Sequence, residues 1–193
     1  MIRLLVTGAG GMTGWELSRR APEAGFHCAA LDRRELDVAD AAAVREAVQT
    51  ALPDVIVNAA AYTAVDKAET DRETAMRANG KAPGHLARAA AGAGAAIVQI
   101  STDYVFDGTA TAPYGPDHPT NPVSAYGESK LAGENAIREV SERHAIVRTS
   151  WVFSGRGRNF VRTMCAKNPG DELRVVTDQV GRPTSAGDLA DAL

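Results

Sequence analysis

The first hundred residues alternate between short apolar runs and longer stretches whose apolar positions recur at helical spacing. Each apolar run has the length of a strand that is buried on both faces of a parallel sheet. The predicted strands are residues 2–6, 27–31, 55–57 and 96–100. The predicted helices between them are residues 11–24, 40–51 and 64–91, the last with a break near residues 70–71. This alternation predicts an α/β fold with a doubly wound parallel sheet and helices on both of its faces.

The pattern changes after the fourth predicted strand. Residues 106–123 contain four prolines and predict a long binding loop, and a helix that Ser124 or Asn121 could cap comes next. Beyond Trp151 the alternation weakens. We expect a loop, a helix, a strand and the beginning of a final helix there, at residues 154–158, 160–167, 173–176 and 185–193.

Three evenly spaced glycines, Gly8, Gly11 and Gly14, follow the first predicted strand. A strand, a glycine turn and a helix N-terminus together form a pyrophosphate-binding geometry, because backbone N–H groups can approach the phosphates closely. The spacing departs from G-x-G-x-x-G, since Thr13 occupies the third glycine's place, and a flexible turn is the alternative reading. The position directly after a strand favours a dinucleotide site.

The end of the second predicted strand bears on which dinucleotide is bound. Asp32 lies 18 residues after Gly14 and could accept hydrogen bonds from the adenosine ribose hydroxyls of NADH. Arg33 and Arg34 follow at once and could pair with the 2′-phosphate of NADPH. These residues leave both cofactors open, and a structural role for Asp32 as a turn cap also stays open.

Candidate chemistry is concentrated on the helix after the proline-rich loop. Tyr126 and Lys130 are four residues apart and therefore share one helix face. A neighbouring ammonium favours the phenolate, so we expect Lys130 to lower the Tyr126 pKa and to assist proton transfer to a carbonyl. Thr102, at the end of the fourth strand, could hold the carbonyl oxygen in line.

Composition and charge exclude several classes of protein. The chain has 193 residues and a formal net charge of −3, and this lack of a basic excess argues against a nucleic-acid partner. No apolar run approaches the ~20 residues of a membrane span, and no signal peptide is recognised, so we expect a cytoplasmic protein. Cys28 and Cys165 are expected to be reduced core residues. The four histidines lack metal-ligand spacing, so no metal is predicted.

The glycine motif, residues 101–103 and the Tyr126-x-x-x-Lys130 pair together resemble the extended short-chain dehydrogenases/reductases. Longer strings closely resemble the dTDP-4-dehydrorhamnose reductases within that family. These strings are residues 57–69, 101–106, 126–134, 148–152 and 178–184. The resemblance covers essentially the whole chain and implies a Rossmann-like domain over residues 1–153, with the start of a substrate-binding region at residues 154–193.

The resemblance implies NADPH- or NADH-dependent reduction of dTDP-4-dehydro-6-deoxy-L-mannose to dTDP-L-rhamnose, or of a closely related dTDP-4-keto-6-deoxy sugar. The implied catalytic residues are Thr102, Tyr126 and Lys130. The implied sugar contacts are Thr102, Asp103 and Trp151. The implied cofactor contacts are Gly8, Gly11, Met12, Thr13, Gly14, Asp32, Arg33, Asp37, Val38, Ala61, Tyr62, Thr63, Tyr126 and Lys130. Met12 and Thr13 depart from the bulky pair common in extended members. The oligomeric state stays open, a homodimer included.

Two related activities are the alternatives. Sugar-nucleotide 4,6-dehydratases use an Asp-Glu pair directly after the Thr, whereas here Tyr104 follows Asp103, which favours plain ketone reduction. The regulatory β-subunit of methionine adenosyltransferase also resembles this family and acts by binding a partner. Because the last helical pattern has no stop signal, we expect the sequence to be an N-terminal piece that binds NAD(P)H but reduces the sugar very slowly.

Overall fold

The main sheet contains five strands. A computed structural model describes residues 1–168 and 170–193. All pairings in this sheet are parallel, and the strand order is β2-β1-β3-β4-β5. The strands are β1 (Arg3–Thr7), β2 (His27–Leu31), β3 (Val55–Asn58), β4 (Ala96–Thr102) and β5 (His144–Thr149). The first four confirm the predicted strands. β5 was not predicted, because it lies at the sheet edge and none of its residues is fully buried.

Helices connect the strands and follow them. They are α1 (Met12–Glu23), α2 (Ala41–Ala51), α3 (Val65–Ala68), α4 (Arg72–Ala75), α5 (Ala82–Ala93), α6 (Ala125–Arg138), α7 (Phe160–Cys165) and α8 (Ala186–Ala192). Local capping fixes where several of them begin. The Asp40 carboxylate accepts from two backbone N–H groups at the start of α2, and the Ser124 hydroxyl accepts from Gly127 at the start of α6.

Apolar side chains alternate between the two faces of the central strands. On one face, Leu5 and Ile56 pack with α2, α5 and α6, including the fully buried Leu86. On the other face, Val6 and Val57 pack with Leu17 of α1 and with α8. Since helices cover both faces, the sheet is doubly wound and Rossmann-like, as the sequence predicts.

The long helical stretch after β3 is broken into several pieces. The predicted break at residues 70–71 is confirmed, since Asp71 precedes α4. A π-helical turn, Met76–Lys81, then leads into α5, and the sequence pattern did not predict it. A π turn adds one residue per turn, and this one places the polar Asn79 among buried residues, 2% exposed.

The region after β5 departs most from the sequence predictions. The predicted strand at residues 173–176 is wrong, because this stretch has no strand pairing among the described residues and Val176 is 65% exposed. A two-stranded parallel sheet forms instead between β6 (Val152–Phe153) and β7 (Thr184–Ser185). Cys165 is exposed, so its expected place in the core is wrong, whereas Cys28 is half-buried.

The final helix returns to the sheet. Arg20 of α1 forms a 2.7 Å ion pair with Asp191 of α8, and Ala190 joins the apolar cluster around Leu17. The division of the chain at residue 153 stays a prediction. Within the described ranges no helix is both long and apolar enough to cross a membrane.

Candidate active site

A cleft opens where the strand order of the sheet reverses, between β1 and β3. Open α/β sheets bind ligands at this switch point, outside the carboxyl ends of the strands. Two loops form most of its wall, one directly after β1 and the other directly after β3. The cleft is lined by Gly8, Gly10, Gly11, Arg33, Leu36, Asp37, Val38, Ala39, Ala59, Ala60, Ala61, Tyr62, Thr74, Arg77 and Ala78.

The glycine loop packs so closely against neighbouring backbone that side chains would not fit at two of its glycines. Gly8 has φ +73°, and a Cβ there would lie 2.6 Å from the Ala60 backbone nitrogen. A Cβ at Gly14 would collide with the Gly8 carbonyl and lie 2.9 Å from the Ala9 Cα. These glycines let α1 begin directly against the loop after β3, and the turn is closed by a 2.9 Å bond from the Gly11 N–H to the Gly8 carbonyl.

The structure places about half of the predicted cofactor residues at this cleft. Those that line it are Gly8, Gly11, Arg33, Asp37, Val38, Ala61 and Tyr62. Those that do not line it are Met12, Thr13, Gly14, Asp32, Thr63, Tyr126 and Lys130. Gly14 acts instead through packing, and Met12 contacts the later loop, with its sulfur 3.6 Å from the Asn159 Nδ2.

Asp32 is engaged by its own chain. Its carboxylate accepts a 2.7 Å bond from the Arg34 backbone N–H and a 2.8 Å bond from the Arg34 guanidinium. These hydrogen bonds lower the pKa of Asp32, with the guanidinium bond as the largest cause. Arg33, in contrast, lines the cleft. The turn therefore presents a neutralised carboxylate beside an available guanidinium.

The three predicted catalytic residues come from β4 and α6, which pack directly against each other. A Cβ at Gly127 would collide with the Tyr104 carbonyl, so glycine at this position permits the close approach of α6. The approach brings the Tyr126 phenol close to the Thr102 hydroxyl. Lys130 lies one turn further along α6 and is 4% exposed.

The acidities of Tyr126 and Lys130 differ from the sequence expectation. Burial raises the pKa of Tyr126 to about 12, although the nearby Thr102 hydroxyl opposes this shift. The expectation that Lys130 lowers the Tyr126 pKa is wrong for this structure, because the Lys130 ammonium donates instead to the Ile100 carbonyl, at 2.7 Å. Burial lowers the pKa of Lys130 to about 8, and the nearby Glu134 carboxylate opposes that shift.

Glu134 is a fully buried carboxylate that the sequence analysis did not single out. It accepts bonds from the Ser101 hydroxyl, at 2.6 Å, and from the guanidinium groups of Arg138 and Arg148, at 3.0 and 2.7 Å. The Arg148 side-chain bond leads the causes that keep the pKa of Glu134 low against the effect of its burial. Helical periodicity could have identified Glu134, because it lies four residues after Lys130 and therefore shares a helix face with it.

Asn79 links the cleft to α6 and was also missed. Its amide accepts a bond from the Tyr62 backbone N–H, at 2.8 Å, and donates to the Tyr62 carbonyl, at 2.9 Å. It also donates to the Ser129 hydroxyl, which in turn donates to the Tyr126 carbonyl, at 3.1 and 2.7 Å. The sequence signal for Asn79 was a polar residue within a helical pattern. Its burial is explained only by the π turn, which the sequence pattern did not predict.

The two remaining predicted sugar contacts lie near the carboxyl ends of β4 and β5. Asp103 directly follows Thr102 and accepts a 3.1 Å bond from the Thr102 hydroxyl, and burial raises the pKa of its carboxyl group. Trp151 has φ +48°, is 44% exposed and packs against Gly181. In the part of the chain that the structure describes, no three His, Cys, Asp or Glu side chains form a set that could hold a metal ion.

Comparison with known proteins identifies relatives over the whole chain. A dTDP-4-dehydrorhamnose reductase of Streptomyces griseus is 49% identical over 193 residues, which cover 99% of this chain and 64% of that protein. A probable dTDP-4,6-dihydroxy-2-methyloxan-3-one 4-ketoreductase of Streptomyces antibioticus is 46% identical over 100% of this chain and 66% of its own length. The chain thus spans less than two thirds of the length of the Streptomyces griseus relative.

Solved structures give the same result. The crystal structure of dTDP-4-dehydrorhamnose reductase from Bacillus anthracis, in complex with NADP, matches with a TM-score of 0.95 and 37% identity, over 100% of this chain and 69% of that one. The sequence model of the family described as RmlD substrate binding domain matches residues 2–193. The fold, the site geometry and this match agree, and the chain belongs to the RmlD substrate binding domain family.

Proposed function

We propose that this chain carries the cofactor-binding and catalytic residues for NAD(P)H-dependent reduction of the C4 ketone of dTDP-4-dehydro-6-deoxy-L-mannose, or of a closely related dTDP-4-keto-6-deoxy sugar. The observation that carries the proposal is the convergence of Thr102, Tyr126 and Lys130 at the sheet edge that also holds the glycine loop. The names of the Streptomyces relatives support this substrate class. We place the reaction in the cytoplasm.

The glycine loop would hold the cofactor. The collisions that a side chain at Gly8 or Gly14 would make fit a loop that is shaped for a pyrophosphate at the start of α1. The bound nicotinamide would supply the hydride for the ketone carbon. The backbone after β3, where Ala61 and Tyr62 line the cleft, would support the nucleotide from the opposite side.

Tyr126 would act as the acid. Its raised pKa keeps the phenol protonated at neutral pH, so a proton is available when the ketone oxygen becomes an alkoxide. The Thr102 hydroxyl, which lies close to the same phenol, would orient the ketone oxygen. The charged Lys130, one helical turn away on the same face of α6, would hold the nicotinamide ribose.

Cofactor preference follows from the turn after β2. Since Arg34 neutralises Asp32, repulsion of a 2′-phosphate is reduced, and Arg33 is placed to pair with it. We therefore propose that the chain uses both cofactors, with a preference for NADPH of less than about tenfold, or ~1.4 kcal/mol.

A turnover assay tests the proposed activity. Purified protein is mixed with NADPH or NADH and each of several dTDP-4-keto-6-deoxy sugars, and cofactor oxidation is followed at 340 nm. Oxidation that depends on both sugar and protein is expected, with Tyr126→Phe as the negative control. Tight NADPH binding without oxidation of any sugar would favour a regulatory role like that of the methionine adenosyltransferase β-subunit.

A further inference from the structure

Among the described residues, Glu134 is the fully buried carboxylate, and the proposed reaction does not use it. Its side chain is 0% exposed and lies on the same face of α6 as Lys130, one turn further along. A carboxylate is removed from water at a high free-energy cost, so such groups are retained only where other charges and hydrogen bonds compensate for it. Three donors compensate for the burial of Glu134, and two of them are charged.

The two buried ionisable groups of α6 bind neighbouring residues of β4. The Lys130 ammonium donates to the Ile100 carbonyl, at 2.7 Å, and Glu134 accepts from the Ser101 hydroxyl, at 2.6 Å. The next residue of the strand is Thr102, whose hydroxyl lies close to the Tyr126 phenol. The helix that carries the acid is therefore attached to the strand that orients the ketone at two consecutive points.

Arg148 extends this attachment to the proline-rich loop. Its guanidinium donates to both Glu134 oxygens, at 3.0 and 2.7 Å, and to the Pro116 carbonyl, at 3.1 Å, and it lies 5.0 Å from the Phe106 ring centroid. Arg138 donates to the same carboxylate from the more exposed side of α6. The carboxylate on the Lys130 face of α6 thus pairs with two guanidinium groups.

We propose that Glu134 is a positioning residue of the reduction: balanced by Arg148, its carboxylate holds Lys130 in the charged form and fixes it against β4 beside Thr102. This proposal rests on the proposed function, since it assigns Lys130 a task in the reaction. Without the carboxylate, the ammonium of the nine-tenths buried Lys130 would face two uncompensated guanidinium groups. Like charges disfavour the protonated form, and Lys130 would lose its proton near neutral pH.

Removing Glu134 and removing Arg148, the two partners of one ion pair, should shift the Lys130 pKa in opposite directions. Glu134→Gln removes the attraction and should lower the Lys130 pKa from about 8 by roughly one unit. Arg148→Met removes one of the two guanidinium groups that offset the carboxylate charge and should raise the Lys130 pKa. A purely structural role for the pair would not produce opposite signs, because both variants remove the same ion pair.

The titration is measured by NMR on protein labelled at its lysine side chains. The chain has four lysines, and the Lys130→Met variant assigns the signal. Glu139→Gln, which removes an exposed carboxylate from the end of the same helix, is the matched control and should leave the Lys130 pKa unchanged. If Glu134→Gln fails to fold, Arg148→Met and the surface variant Arg138→Met decide, and each should raise the Lys130 pKa. Shifts of the same sign in Glu134→Gln and Arg148→Met, or no shift of the Lys130 pKa in the arginine variants, would overturn the proposal.

The pH dependence of kcat/KM provides the second readout. Activity should fall above about pH 8 in the unmodified protein as Lys130 loses its proton, and about one unit lower in Glu134→Gln. A shifted Lys130 titration with an unmoved kcat/KM profile would remove Lys130 from the reaction and overturn the positioning role. Absence of any ketone reduction would contradict the proposed function, while the NMR titration would still report whether Glu134 controls Lys130.

Discussion

The glycine loop and the Tyr126 cluster lie at the same edge of the sheet but depend on different physical features. The loop requires glycine, since a Cβ at Gly8 or Gly14 would overlap neighbouring backbone atoms. The cluster is specified by buried polar contacts between β4, α6 and β5, with Glu134 at its centre. A local sequence pattern can therefore identify the first, whereas the second requires residues that are distant in the sequence to meet.

Replacement of Tyr126 with Phe should have the largest effect, and it should separate the two regions. The variant removes the acid of the cluster and leaves the glycine loop intact, so kcat should fall ~10²–10⁴-fold while cofactor affinity changes little. Stopped-flow or steady-state oxidation of NADPH measures the first quantity, and fluorescence titration measures the second. Tyr114→Phe, whose phenol is bonded to Asp107 in the proline-rich loop, is the control. Near-normal turnover in Tyr126→Phe would remove that residue from the mechanism.

The sequence was sufficient for the parts of the fold that local periodicity determines. The buried central strands and the first two helices are apolar at regular intervals, and the residues that cap or end them lie beside them, such as Asp40 before α2. The prediction of a strand at residues 173–176 was wrong because an apolar run forms a strand only beside a second strand. No local sequence pattern shows whether that second strand is present. β5 was not predicted because its own residues are only partly buried. It forms a strand through its pairing with β4.

The candidate site divides in the same way. Tyr126 and Lys130 could be paired by their spacing, and Thr102 by its place at a strand end. The acidity of Tyr126 could not be predicted, because it depends on burial and on the direction in which the Lys130 ammonium points. Asn79 and Glu134 could not be placed in the cluster, because their partners lie on other elements. Asn79 bonds to Ser129 on α6, and Glu134 bonds to Arg148 on β5.

The stability of the cluster should depend on pH through Lys130. Its pKa is about 8 in the folded protein and about 10.4 in an unfolded chain, so the unfolded state binds more protons between these values. Stability should therefore rise with pH across this window, by about 3 kcal/mol, as the cost of the buried ammonium is relieved. The difference in unfolding free energy between the unmodified protein and Lys130→Met, measured by urea denaturation from pH 7.5 to 10.5, isolates this effect. A pH-independent difference would show that Lys130 titrates normally.

The glycine loop should be most sensitive to added volume. Gly14→Ala places a methyl group against the Gly8 carbonyl and the Ala9 backbone, and we expect a loss of stability of about 1–3 kcal/mol together with weaker cofactor binding. Gly92→Ala is a matched control, since it is also a helical glycine but a Cβ there meets nothing within 4 Å. It should stabilise the protein slightly, because alanine favours helix. Equal stability of the two variants would contradict the close-packing account of the loop.

The smallest expected effect concerns cofactor choice at the turn after β2. Arg34→Ala removes the guanidinium that offsets the Asp32 charge, so the carboxylate should repel a 2′-phosphate and lower the affinity for NADPH relative to NADH by up to about tenfold. Asp32→Ala should shift the ratio in the other direction, because it removes the negative charge itself. Fluorescence titrations with both cofactors measure the ratio without requiring turnover, and Arg45→Ala, an exposed arginine of α2, controls for the loss of one positive charge. Salt should reduce the effect of both variants, since the groups are exposed and their charges are screened. If the ratio of the two affinities is the same in Arg34→Ala, Asp32→Ala and Arg45→Ala, the turn does not contact the adenosine ribose, and cofactor preference must be determined by other residues of the cleft.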